Sequence, residues 1–358
     1  MKVALVLGTR PEIIKMFPVI TELEKHNISF FIIHTGQHYS YEMDRVFFDQ
    51  LKLPKPAYNL HVGSGSHAEE TGKMLMCIEK VLKKEASDKL LVQGDTNTVL
   101  AGALAAAKLG IKVGHVEAGL RSFDKGMPEE INRVLTDHLS DYLFAPTEIS
   151  RKNLLAEGIS DSKIFVTGNT IVDAVYTILP QAIGESNVFQ RFEDDDYIVL
   201  TLHRAENVDQ PERLRRIIEG VTRVAEHTGF RVEFPIHPRT HKRIRELDIQ
   251  LHKNIEVMKP LGYFDFLLLV KNAVLVITDS GGVQEEACIL KVPCVTVRRN
   301  TERPETLQVG ANMLAGDDPD KILTCSKIMI NKAKSWGNPF GDGRAAERII
   351  KIISEEWT

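Results

Sequence analysis

The stretch HVEAGLRS (115–122) sets a carboxylate, Glu117, between His115 and Arg121, directly after the apolar run GIKVG. That run reads as a strand entering a buried sheet, where an unpaired carboxylate is costly. Glu117 is therefore a candidate acid or base, with an ion pair to Arg121 as the structural alternative. Other polar groups follow apolar runs in the same way. VLGTRPE presents Gly8 and Arg10, with Pro11 suited to a first helical turn, and VQGDT presents Asp95. Glu129 and Glu130 follow Pro128 in MPEEINR (127–133). For Asp95 the plain alternative is a helix cap, and for the two glutamates decoration of a first helical turn.

The later half offers His203 and Arg204 in TLHRAEN, His237 in PIHPR, and Ser280, Gly281 and Gly282 in TDSGGVQEEA. In TDSGG a buried strand ends and Ser-Gly-Gly opens a helix. The N–H groups and dipole of a helix start favour an anion, and glycines let a phosphate approach the backbone. A Ser cap on a tight turn is the alternative. Glu285 and Glu286, one turn later, are either dipole-favoured surface carboxylates or acceptors for ribose hydroxyls. A lone histidine such as His203 also suits a structural hydrogen bond. His34/His38 and His237/His241 are spaced i,i+4, but the first pair lies in a loop and the second spans Pro238, so no metal site is expected. The first turn is GTRPE rather than GxGxxG, so a dinucleotide oxidoreductase lacks its fingerprint. A charged cleft between two domains accounts for these groups together better than a set of unrelated caps.

The elements that must position them are apolar runs followed by helical patterns. The first half has VALVLG, FFIIHTG, KLLVQGD, IKVGHVEAG, YLFAPT and IFVTGN; the second has YIVLTLHR, RVEFPIHP, IEVMKP, AVLVITDSG and PCVTVR. They lack a period-two polar face, which predicts parallel strands covered on both sides by helices. In 211–227, Leu214, Ile217, Ile218, Val221, Val224 and Ala225 share one helical stripe. The acidic, aperiodic segment 180–196 reads as an interdomain connector. The expected fold is α/β, two doubly wound parallel-sheet domains. Ligands of such sheets bind outside the carboxyl ends of the strands.

The chain has 358 residues, 43% apolar and 26% charged, with a formal net charge of −4. That length suits two domains. The charge gives no global field to attract nucleic acid or an anionic membrane. MKVALVLGTRPE has too short an apolar run for a signal peptide, and no run reaches a membrane span. Cys77, Cys288, Cys294 and Cys325 form no CxxC pair and are expected as buried thiols in a reducing cytoplasm.

GTRPEIIKM, QGDTNT, GHVEAGLRS, PEEINR, TLHRAEN and TDSGGVQEEA, in this order and over most of the chain, closely resemble the UDP-N-acetylglucosamine 2-epimerases, more narrowly the non-hydrolysing bacterial and archaeal type. The resemblance implies a GT-B fold, two Rossmann-like domains facing across a cleft. The N-terminal domain would be 1–168 plus a crossover helix at 342–358, and the UDP-binding domain 169–341. It implies interconversion of UDP-GlcNAc and UDP-ManNAc by inversion at C2, through anti elimination of UDP to a 2-acetamidoglucal and re-addition. No NAD or catalytic metal is needed, and a cytoplasmic homodimer serving polysaccharide biosynthesis is expected. Matching positions make Asp95, Glu117, Glu129 and His203 catalytic. Arg10, Lys15, Ser280, Gly281, Gly282, Glu286 and Arg303 (of TERPE) match substrate-binding positions. Gln37, Arg204 and His237 match a second UDP-GlcNAc site that activates bacterial members. Here QHYS replaces a QHRQ-like stretch, and HRAEN replaces HRREN. A glycosyltransferase and a non-catalytic sugar-nucleotide sensor stand as rivals, separated by whether UDP-GlcNAc alone is converted.

Overall fold

The computed structural model describes residues 1–36, 47–185 and 196–355. The chain divides into two compact units, Met1–Ala174 with Phe340–Thr358, and Val175–Pro339. The first holds strands β1 (Lys2–Leu7), β2 (Ser29–His34), β3 (Tyr58–Asn59), β4 (Lys89–Gln93), β5 (Lys112–Val116), β6 (Tyr142–Ala145) and β7 (Ile164–Val166). They form one parallel sheet in the order β3-β2-β1-β4-β5-β6-β7. The second holds β8 (Tyr197–Thr201), β9 (Arg231–Pro235), β10 (Ile255–Met258), β11 (Leu275–Thr278), β12 (Cys294–Thr296) and β13 (Asn312–Leu314). These are also parallel, in the order β10-β9-β8-β11-β12-β13.

The unbroken apolar runs explain these sheets. Val3 to Leu7 and Ile198 to Leu200 are fully buried, as both faces of a central parallel strand must be when helices cover them. The helix Pro211–Thr228 buries the six residues of the stripe read from the sequence. The final helix, Ala345–Glu355, buries Ala345, Ala346, Ile349, Ile350 and Ile353 and packs against the first helix, Arg10–Lys25. Asp173 caps it from another element, accepting the N–H groups of Ala345 (3.2 Å) and Ala346 (2.9 Å). At its far end, buried Lys89 donates to the Ile353 carbonyl (2.8 Å).

One segment departs from expectation. Within 180–196, residues 180–185 are not connector but the end of the helix Thr170–Glu185. Buried Ile178 and Ala182 hold that helix to the protein on both sides of Pro180. Residues 186–195 lie outside the described residues. In each sheet the strand order reverses at one place, between β1 and β4 and between β8 and β11. Such reversals open a crevice at the carboxyl ends of the strands.

Candidate active site

At the first reversal, β1 leads through Gly8 and Thr9 into the helix Arg10–Lys25, and β4 leads through Asp95 and Thr96 into the helix Asn97–Lys108. Glu12 ties the two turns together. It accepts the N–H groups of Gly8 (2.5 Å) and Thr9 (3.2 Å) and the Thr96 hydroxyl (2.6 Å). Burial pushes its carboxyl up to about 7 against those hydrogen bonds, and the nearby Asp95 charge adds to the rise. Arg10 is half-buried, with its guanidinium 5.3 Å from the centre of the Phe47 ring.

Asp95 does not cap the helix that follows; Thr96 does, accepting from the Val99 N–H. The Asp95 carboxylate is partly exposed and receives Arg133 at 2.5 Å. Arg133 also pairs with Glu130 of its own helix, Pro128–Leu139. Glu130 is buried and accepts from Ser122 N (2.9 Å), Ser122 Oγ (3.0 Å) and Phe123 N (2.9 Å), so its task is to tie down the loop before that helix. Glu129, its half-buried neighbour, belongs to the same first turn.

Glu117 does not pair with Arg121. Its carboxylate meets Lys15 Nζ and accepts from Asn169 Nδ2 (3.2 Å), and both Glu117 and Lys15 are buried. Its backbone has φ +71°, a left-handed conformation that costs a residue other than glycine about 1–3 kcal/mol. The neighbourhood enforces it. The N–H groups of Glu117 (3.1 Å) and Ala118 (3.2 Å) converge on the Phe144 carbonyl, and Gly119 N–H donates to Asp137 (3.1 Å). Arg121 pairs instead with Asp137 (2.7 Å) and Glu157 (2.6 Å). His115 is fully buried, with Nδ1 2.6 Å from Asp137 and Nε2 2.8 Å from the Gly94 carbonyl. Burial alone would raise the Asp137 carboxyl; His115 and Arg121 bring it below the ordinary carboxylate range. His115 and Arg121 are thus scaffold, and Glu117 is what the loop presents.

At the second reversal, His203 and Arg204 follow β8, and Asp279 and Ser280 follow β11. Asp279 is fully buried and receives the N–H groups of His203 (3.1 Å) and Arg204 (3.0 Å) and the Asn207 amide (3.2 Å). His203 Nδ1 lies 3.2 Å from Asp279 Oδ1. Burial alone would raise the Asp279 carboxyl, yet the His203 side chain and these donors hold it below the ordinary carboxylate range. The exposed ring of His237 lies 6.1 Å from that of His203. Arg204 reaches Glu302 at 3.8 Å. Glu302 is buried beside Arg298, which holds its carboxyl below the ordinary range against the effect of burial.

Ser280 opens the helix Gly281–Ile289, but its side chain makes no cap hydrogen bond. The first N–H groups of a helix have no partner within it, and the two glycines cover them with no side chain. A β-carbon added at Gly281 would lie 3.7 Å from the Arg303 guanidinium carbon, which places that cation beside the helix start. Arg303 itself pairs with buried Glu285. Glu285 and Glu286 are both buried, not surface carboxylates.

In the first unit the structure thus joins Lys15 to Glu117 and Asp95 to Arg133, whose helix carries Glu129 in its first turn, and it places Arg10 at the start of the helix after β1. In the second unit His203 and Arg204 follow β8, His237 lies near His203, and Arg303 lies beside the start of the helix that Ser280, Gly281 and Gly282 open and that carries Glu286. Gln37 lies outside the described residues, as does His38. Glu12, Arg133, Asp137 and Asp279 were missed from the sequence. Glu12 alone had a readable signal, the Thr9-x-x-Glu12 capping box after a strand. Among the described residues no group of three or more His, Cys, Asp or Glu is placed to hold a metal ion.

Two parallel Rossmann-like sheets, each with a polar cluster at its order reversal, define a protein of the GT-B class. A model of the UDP-N-acetylglucosamine 2-epimerase family matches residues 21–354, and the chain belongs to that family. It is 60% identical over 362 residues to the UDP-N-acetylglucosamine 2-epimerase of Methanocaldococcus jannaschii, covering 99% of each chain. The crystal structure of the UDP-GlcNAc 2-epimerase of that organism, in complex with UDP-GlcNAc and UDP, matches with a TM-score of 0.95 and 60% identity. The match covers 99% of this chain and 100% of that one. The UDP-GlcNAc 2-epimerase of Neisseria meningitidis bound to UDP-GlcNAc matches with a TM-score of 0.92 and 35% identity, over 99% of this chain and 100% of that one.

Proposed function

We propose that this chain interconverts UDP-GlcNAc and UDP-ManNAc by inverting carbon 2 of the sugar, without releasing free sugar. The observation that carries the reading is Glu117, a buried carboxylate held against Lys15 and Asn169 on a left-handed backbone at a sheet end. Two closely matching crystal structures are complexes with UDP-GlcNAc, which supports the substrate.

The C2 proton of the sugar is weakly acidic, so its removal needs a positioned base. A carboxylate takes that proton, the C2–H electron pair forms a C1=C2 double bond, and the C1–O bond breaks with its electrons leaving on UDP. The product pair is UDP and a 2-acetamidoglucal. A proton then returns to the other face of C2, and UDP re-adds at C1. Two faces require more than one acid or base, and Asp95, Glu117 and Glu129 share this traffic. Each positioned group contributes roughly 10²–10⁴-fold.

Charge grows on the diphosphate as C1–O breaks, and fixed donors are the means of stabilising it. His203 acts there. The turn Ser280–Gly281–Gly282 with Arg303 binds the diphosphate, Glu286 the ribose, and Arg10 and Lys15 contact the substrate. Gln37, Arg204 and His237 belong to a second nucleotide site. The enzyme works as a cytoplasmic homodimer that supplies UDP-ManNAc for surface polysaccharide. The test is incubation with UDP-GlcNAc alone, followed by chromatography. UDP-ManNAc at equilibrium is the expected result. Free ManNAc with UDP would instead mark a hydrolase, and no conversion would mark a binding protein.

A further inference from the structure

We propose that Asp279 is the positioning residue for His203, fixing the imidazole so that Nε2 is the nitrogen that exchanges a proton with a ligand. The inference rests on the catalytic reading of His203 given above. Its geometry is independent of that reading. Asp279 sits at 0% exposure directly after β11, and four donors or potential donors converge on its two oxygens. Three of them are fixed donors: the N–H groups of His203 and Arg204, and the Asn207 amide. All three reach Oδ2, at 3.1, 3.0 and 3.2 Å. Oδ1 also faces the His203 N–H (3.1 Å) and lies 3.2 Å from its ring Nδ1.

An ionised carboxylate only accepts hydrogen bonds. Three fixed donors favour the ionised form of Asp279, and with Oδ1 3.2 Å from Nδ1 that form favours a proton on Nδ1. The partner of one imidazole nitrogen sets the role of the other. The His203 side chain is 41% exposed while Asp279 is wholly buried, so the accessible part of the ring carries Nε2. The same carboxylate precedes Ser280, and the backbone it anchors carries Arg204. One residue therefore holds the histidine turn and the start of the anion-favouring helix in register. When Nε2 is protonated the His203–Asp279 pair is neutral as a unit, so the carboxylate does not oppose an anion at that helix start.

A carboxylate that merely caps a turn would leave the histidine tautomer unspecified. The deciding measurement is nitrogen-15 NMR of the wild-type protein labelled in histidine. The His203 signals are assigned by their loss in His203→Gln, and the spectrum is read at a pH where the ring carries one proton. The expected result is a proton on Nδ1 and none on Nε2. The reverse overturns the proposal.

Asp279→Asn is isosteric. Its carbonyl would take the three donors at Oδ2, which turns the amide NH2 toward Nδ1 and moves the ring proton to Nε2. In hydrolytic triads the corresponding change costs about 10⁴-fold in kcat through the wrong tautomer. Here a loss of about 10² or more in kcat is expected with KM within about threefold, and the His203→Gln/Asp279→Asn double variant should be no slower than His203→Gln. A moved proton with kcat unchanged overturns the proposal. If Asp279→Asn does not fold, the wild-type spectrum alone decides. If His203→Gln keeps full turnover, the catalytic reading of His203 falls, while the spectrum still reports whether Asp279 holds the ring.

Discussion

At the scale of single residues, the first unit sets two buried carboxylates different tasks. Glu117 is held beside a cation, Lys15, and presented by a strained turn. Glu12 faces hydrogen-bond donors and the charge of Asp95, and burial wins. Glu117→Gln should bind UDP normally but lose about 10²–10⁴ in turnover, as expected for a missing general base or acid. Calorimetry with UDP and a rate assay check it, and near-wild-type turnover removes Glu117 from the proton path. Glu12 predicts a pH dependence of stability. Its folded pKa of about 7 exceeds the ordinary glutamate value of 4.5, so the folded state binds the proton more tightly than the unfolded. The stabilisation is fully present below pH 4.5 and is lost as pH rises through about 7, on the order of 3 kcal/mol across that window. Glu12→Gln can still accept from the backbone while donating to the Thr96 hydroxyl. Denaturant unfolding of that variant should therefore show a flatter profile between these pH values, and an unchanged profile would refute the assignment. Glu117 was legible as a candidate because a carboxylate after an apolar run is anomalous. Its partner was not: Arg121 is four residues away in sequence, whereas Lys15 lies on the helix after β1, and tertiary pairing leaves no local trace.

At the scale of elements, function depends on turns that follow parallel strands. The turn after β5 shows how tightly one is built. Gly119 has φ +81°, and a β-carbon there would lie 2.4 Å from the Ser150 carbonyl oxygen. Gly119→Ala therefore meets both backbone strain and a backbone clash. It should destabilise by more than about 1 kcal/mol and lower turnover by displacing Glu117. Chemical denaturation paired with a rate assay tests this; a stable, fully active variant would show that the turn is not what places Glu117. The longer strands were legible because runs such as VALVL and VLVIT carry no polar face. β3 and β13 were not: YN and NML carry too few apolar residues to stand out, whereas the equally short β7 and β12 sit in the apolar runs IFV and CVTV. The helical end at 180–185 was hidden by its polar composition and Pro180, although one buried face sustains it.

At the scale of the whole molecule, each unit carries its own apolar core and its own polar cluster at a strand-order reversal. The final helix belongs to the first unit although the second unit precedes it in the chain. Asp173 and Lys89 fasten its two ends there. The doubly wound class followed from unbroken apolar runs, and the family from motifs placed at the ends of those runs. Where the final helix docks is invisible to pattern, because an amphipathic stripe says that a face is buried and not against what. The account turns on proton exchange at C2 by carboxylates of this chain. Incubation of the protein with UDP-GlcNAc in D₂O, followed by proton NMR of the isolated UDP-ManNAc, tests it directly. The account predicts deuterium at C2 of the product. UDP-ManNAc that retains the substrate's own hydrogen at C2 would contradict it.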